Sequence, residues 1–200
     1  MALTKSVASV DACQEIAQNT VVEGTTVDVS GCYAAALHID FAQTNATAHT
    51  GTKIRVQVSS NTPGGGDEDW HDLAEIIPAY GTTNLEAITN NPLSAGGTSI
   101  TVASTTGYTR GIWVFLEDAT FGNSEWVFVT AVVTNTSLTI VDGVTREHAN
   151  TAVLNSIASR LPPIDIPDWA QRVRVIYDNT YDSDGATVAV RCRISKLTDV

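Results

Sequence analysis

Residues 172–195, RVRVIYDNTYDSDGATVAVRCRIS, hold two alternating runs around a turn-rich centre, and this pattern constrains the fold more than any other stretch. Val173, Val175 and Tyr177 share one side of the first run, with Arg172 and Arg174 on the other. Val188, Val190, Cys192 and Ile194 share one side of the second, opposite Arg191 and Arg193. A period of two gives each strand a dry side and a basic side. The run KIRVQVSS repeats the logic, with Ile54, Val56 and Val58 dry and Lys53, Arg55 and Gln57 opposite. The pattern predicts a hairpin over 172–195 with 53–59 beside it, three strands of one sheet carrying a single basic face.

A chain of 200 residues can bury one good core, or one core plus a small inserted one. Hydrophobic content of 43% against 16% charged residues places it among globular rather than disordered chains. Abundant Thr, Val, Ala, Asn and Gly, with little Lys and one Met, favours short strands and turns over helices.

The net charge of −11 argues against direct binding to nucleic acid or to an anionic membrane surface. The basic residues are nonetheless concentrated: Lys53, Arg55, Arg172, Arg174, Arg191, Arg193 and Lys196 are seven of the 11, all on the three strands or at their ends. Two readings follow. One is a solvated face with weak cross-strand ion pairs. The other is a docking surface for an acidic partner, another copy of this acidic chain included.

Cys13, Cys32 and Cys192 are odd in number and lack C-x-x-C spacing, so they form neither a disulfide framework nor a zinc site, and a Cys13–Cys32 bridge is unmotivated. The opening MALTKSVASV has no long apolar h-region, and no stretch approaches the roughly 18 apolar residues of a membrane span. Folding in a reducing cytosol is expected.

Residues 1–20 are the least patterned; VDACQEIAQN suggests a short helical turn, and the segment reads as an arm on a neighbour or a frayed end. From Thr20 the signals are β: TVDV, then AALHIDFAQ with Leu37, Ile39 and Phe41 on one face, then KIRVQVSS and WHDLAEI. Beyond the loop TNNPLSAGG come TSITVAS, RGIWVFLED, SEWVFVTAVV and TSLTIVDG, four compact strands. The prolines of LPPIDIPD mark a stiff connector back to the basic strands. The predicted architecture is all-β: a jelly-roll-like antiparallel β-sandwich from residues 1–88 and 157–200, with a small β-domain, 89–156, inserted in a loop.

The motifs along the chain define no catalytic, cofactor-binding or metal site. The acidic turn DEDWHD gathers Asp67, Glu68, Asp69 and Asp72 beside His71, a pattern open to calcium but more often a solvated turn. The centre DNTYDSDG resembles an EF-hand loop, but in that register Arg191 falls where the Glu ligand belongs. His38, His49, His71 and His148 show no metal-ligand spacing, no serine stands in a G-x-S-x-G elbow, and GGGD lacks the lysine of a phosphate loop. Trp113 and Trp126 lie in apolar runs that suit core packing; Trp70 belongs to the strand expected at WHDLAEI; Trp169, in the connector, suits an exposed contact. The candidate interface is therefore Lys53, Arg55, Arg172, Arg174, Arg191, Arg193 and Trp169.

The series AAALHIDFAQTNATAHTGTKIRVQVS, WHDLAEI and RVRVIYDNTYDSDGATVAVRCRISK resembles a class of tailed-bacteriophage virion proteins, and the inserted stretch is similar to β-modules that recur in phage structural genes. The resemblance covers most of the chain from about residue 30 and is one of pattern, without a catalytic signature. It implies a non-enzymatic capsid cement or decoration subunit, or else a neck, tail or fibre component with a host- or glycan-binding role. It further implies a virion location after assembly in the host cytoplasm, contact with the major capsid protein or other virion proteins, and a homo-oligomer such as a trimer.

Overall fold

The computed structural model describes residues 3–45, 51–62, 69–78, 83–180 and 187–199. Its first six strands are β1 (Leu3–Ile16), β2 (Val21–Glu23), β3 (Val27–Asp28), β4 (Ala34–Gln43), β5 (Lys53–Ser59) and β6 (His71–Ile76). After β7 (Leu85–Ala87) come β8 (Ser99–Thr101), β9 (Trp113–Glu117), a 3-10 turn (Phe121–Asn123), β10 (Glu125–Val133) and β11 (Ser137–Ile140). The chain ends in β12 (Val153–Arg160), β13 (Ile164–Ile166), β14 (Arg172–Asp178) and β15 (Val188–Asp199).

The fold is an all-β antiparallel sandwich. The smaller sheet runs β2-β14-β5-β6, with β3 also on β14; the larger runs β1-β15-β4-β12-β9-β10-β11-β8, with β13 on β4 and β7 on β12. Every dry side read from the sequence faces the shared core. Leu37, Ile39 and Phe41 of β4 and Val188, Val190, Cys192 and Ile194 of β15 meet Ile54, Val56 and Val58 of β5 and Val173, Val175 and Tyr177 of β14. Each such side chain, fully withdrawn from water, stabilises the sandwich by roughly 1.5–3 kcal/mol. A second core lies beyond β12, where Ile100, Val114, Leu116, Val129, Leu138 and Leu154 pack together.

The predicted hairpin does not form. β14 pairs with β5 on one side and with β2 and β3 on the other, whereas β15 lies between β1 and β4 in the opposite sheet. Period-two alternation fixes which side of a strand is dry, not which strand is its neighbour; two strands facing one core from opposite sheets show the same pattern as a hairpin. The single basic face is accordingly two faces on opposite outer surfaces. Residues 181–186, the centre compared with a calcium loop, lie outside the described residues, as do His49, Asp67 and Glu68.

The N-terminal segment is a 14-residue edge strand, not a helical turn or a frayed end. Register shifts between Ser9 and Asp11 and between Asp11 and Gln14 break its alternation, which hides the strand from a period-two reading. The bulge turns Asp11 inward, where its carboxylate accepts bonds from Tyr177 Oη at 2.8 Å and from the Thr25 amide at 2.8 Å. Gly24 lies against this arrangement: a Cβ there would meet the Asp11 carboxylate and stand 2.9 Å from the Val175 carbonyl. The prolines' connector also holds a strand, since β13 pairs with β4. All three cysteines are free.

Candidate functional site

Among the described residues, the larger sheet carries a dense cluster of charge around Asp40. Because Ile39 and Phe41 face the core, Asp40 points to the outer side of β4, and the register places it between Arg191 of β15 and Arg160 of β12. Asp40 is only 1% exposed. Its Oδ2 accepts from Arg191 Nε at 2.9 Å and Nη2 at 2.5 Å, and from Arg193 Nη2 at 3.2 Å; its Oδ1 lies 3.3 Å from Arg160 Nε. Three guanidinium groups thus share one carboxylate. Burial holds the Arg160 guanidinium below its ordinary range; Asp40 opposes the shift, and the like charges of Arg193 and Arg191 add to it.

Two indole rings complete the cluster. Arg160 stacks over Trp113 at 3.9 Å and Arg191 over Trp126 at 4.7 Å, and Trp126 Nε1 donates to the Phe41 carbonyl at 2.9 Å. Trp113 also meets Phe128 edge-on, with ring centres 5.2 Å apart. Together these groups line one side of a cavity of about 420 Å³, bounded by β1 near Cys13 and closed by the 3-10 turn and residues 141–146. The closing turn is sharp because Asp142 and Gly143 are both left-handed, with φ of 63° and 68°. Burial pushes the Cys13 thiol up to about 12, with Arg191 opposing, so this sulfur is a packing group and not a nucleophile.

Behind the cavity wall the charge ratio inverts. His148, with no exposed surface, lies between Asp118 and Glu125, its Nδ1 and Nε2 each 2.9 Å from a carboxylate oxygen. Glu125 also accepts the Thr145 amide and hydroxyl, each at 2.9 Å, and the Arg146 amide at 3.0 Å. Burial disfavours the charged His148, but the hydrogen bonds to Glu125 and Asp118 outweigh it and raise its pKa; the same bonds lower that of Glu125 against its own burial.

The other predicted contact residues lie elsewhere. On the outer face of the smaller sheet, Lys53 meets Glu75 at 3.3 Å and Arg55 meets Asp178 at 3.8 Å. Arg174 pairs with Glu23, donates to Gln57 Oε1 at 2.9 Å and stacks over Trp70 at 4.2 Å. Arg172 is buried and donates to the Asn61 carbonyl at 3.2 Å. Trp169 is half exposed, as the connector position suggested. In the acidic turn, Asp69 lies 3.4 Å from His71 and Asp72 accepts from Gln57 at 2.8 Å. Of the predicted residues, the cavity thus gathers Arg191 and Arg193 alone, and joins them to Asp40, Arg160, Trp113 and Trp126. The outward position of Asp40 in AALHIDFAQ was readable; its two flanking arginines come from distant strands.

No family model matches the chain, and no curated protein matches it by sequence. Among solved structures it is similar at 7% identity to a chain described as the structure of infectious bursal disease virus Gx strain, with a TM-score of 0.24 over 99% of this chain and 42% of that one. It therefore spans well under half the length of that viral chain. It is also similar to VP17, a capsid protein of bacteriophage P23-77, at 10% identity and a TM-score of 0.20 over 100% of this chain and 99% of that one. A chain of the VP16-VP17 complex, formed by the two major capsid proteins of the same phage, gives 10% identity and a TM-score of 0.21.

Proposed function

We propose that this chain is a non-enzymatic virion structural protein that binds and stabilises a phage capsid shell as a cement or decoration subunit. The observation that carries the reading is β1. No other described strand pairs with its outer side, and its first residues present Leu3 and Val7, 53% and 61% exposed, to solvent. A long edge strand with exposed apolar side chains is a ready template for a second chain. The sequence resemblance supplies the partner class, a capsid subunit or another copy in a homo-oligomer. Arg191 and Arg193 lie beside this edge through the Ser9–Arg193 register, so they belong to the proposed contact. Lys53, Arg55 and Arg174 would serve a second contact on the opposite sheet, with Trp169 an apolar anchor and the buried Arg172 holding the face from beneath. Residues 89–156 read as a module inserted into the sandwich, which their separate core supports.

Particles that lack the protein should lose resistance to heat or osmotic shock. A copy number of only a handful per particle would overturn the cement reading. Val7→Lys charges the free edge of β1 at a solvent-exposed position, so the monomer should stay folded while its assembly onto shells weakens; an unchanged assembly titration would remove β1 from the interface.

A second reading, a neck, tail or fibre component with a host- or glycan-binding role, is favoured by the arginine-lined cavity, since a shell contact alone needs no enclosed site.

A further inference from the structure

We propose that the cavity between β15, β12, β9 and β10 is a binding site for an acidic sugar, a hexuronate whose carboxylate lies among Arg146, Arg160 and Arg193. The inference rests on the second reading above and is independent of the first, since the sugar can fail to bind while the particle-stability test succeeds.

Charge is the first ground. Arg160, Arg191 and Arg193 surround a single carboxylate, which leaves this wall two positive charges in surplus. Arg193 Nε is buried without a partner. On the facing wall Arg146 donates only to neutral oxygens, Asn123 Oδ1 at 2.5 Å and the Gly122 carbonyl at 3.3 Å, and pairs with no acid among the described residues. Glu125, which also lines the cavity, already accepts from the backbone of Thr145 and Arg146 and lies against His148. An incoming carboxylate therefore meets planar guanidinium groups suited to paired N–H···O bonds.

Shape and composition are the second ground. The volume of about 420 Å³ falls within the roughly 300–1,000 Å³ of small-ligand sites. Trp113 and Phe128 give one apolar wall, against which the C–H face of a sugar ring can rest. The Asp142 carboxylate and the Thr145 hydroxyl oxygen, whose proton goes to Glu125, offer acceptors for ring hydroxyls. An acidic peptide fits less well. The strands that carry the arginine and tryptophan walls, β9, β10, β12 and β15, lie inside the strand order, and the free edge that could receive an extended backbone belongs to β1 and not to these walls.

The test uses the full chain. Titration with D-glucuronate, D-glucose, acetate and inorganic phosphate is followed by NMR at the indole N–H groups, with Arg146→Gln as the variant because that side chain is exposed and outside both cores. Glucuronate should saturate and shift the Trp113 or Trp126 signal, glucose and acetate should bind at least about tenfold more weakly, and Arg146→Gln should weaken glucuronate about tenfold with the remaining spectrum unchanged. The proposal is overturned if glucuronate produces no saturable shift, if phosphate or acetate binds as tightly, or if Arg146→Gln binds like the wild type. It is equally overturned if an oligoglutamate peptide moves the same signals at concentrations where glucuronate does not.

Discussion

The two outer faces of the sandwich carry similar arginine-rich strands and use them in opposite ways. On the smaller sheet each cation has its own partner: Lys53 has Glu75, Arg55 has Asp178, and Arg174 has Glu23, Gln57 and the face of Trp70. Cross-strand pairing of this kind yields a solvated face whose charges balance locally. On the larger sheet Arg160, Arg191 and Arg193 converge on Asp40, and the indoles of Trp113 and Trp126 cover two of them. The alternation in β14 and β15 is the same; what differs is the neighbouring strand. Around β5 and β14, separate acids from β2, β6 and β14 serve separate cations, whereas β4 presents a single acid to arginines from both of its flanks.

The sharpest way to break this contrast is to remove the shared acid. Asp40→Ala leaves three clustered guanidinium groups without a counter-charge beside buried indoles, and should destabilise the fold by about 3–5 kcal/mol, the usual cost of orphaning a buried ionic partner. Urea unfolding at neutral pH measures it. A loss below about 1 kcal/mol would mean that water already screens the cluster, and the difference between the two faces would disappear.

The inverse cluster, one base between two acids, sharpens the comparison through pH. The pKa of His148 is raised above 6.5 in the folded chain, so its stabilising contribution is whole below pH 6.5 and is lost as pH climbs through the raised value. Glu125, lowered from 4.5, contributes above pH 4.5 and loses that contribution as pH falls through its folded value. The other charged group on the ring is Asp118, and Glu125 also accepts the Arg146 backbone amide. Denaturant unfolding should therefore show stability declining on the alkaline side of 6.5, by about 1.4 kcal/mol for each unit by which the pKa is raised. In His148→Gln that alkaline decline should vanish; a decline that persists would place its origin elsewhere.

How far the sequence reveals these clusters follows from what alternation records. The dry faces of β4, β5, β14 and β15 were legible because a period of two reports facing directly. Their partners were not, and so one basic face was expected where there are two. β1 escaped detection because its bulges shift the register, and β12 because Asn155 and a register shift before Ala158 interrupt its apolar pattern. β12 is also the strand that joins β4 to β9, so it spans the expected boundary at residue 156 and carries Arg160 to Asp40. Trp113 and Trp126 were read as core from their apolar neighbours. Trp126 is indeed buried, but both rings sit under arginines at a cavity wall, a placement that depends on the strand crossing and on no local signal.

The smallest effect tests the other half of the comparison. Lys53 and Glu75 are 3.3 Å apart, but their side chains are 25% and 46% exposed, so solvent screens the pair. A double-mutant cycle with Lys53→Ala and Glu75→Ala should give a coupling below about 1 kcal/mol that shrinks further in high salt. The same cycle between Arg191→Ala and Asp40→Ala should exceed it clearly and resist salt, because Asp40 is out of contact with water. Equal couplings on the two sheets would mean that the arrangement around Asp40 is one more surface pair, and the surplus of charge that sets the cavity apart would carry no functional weight.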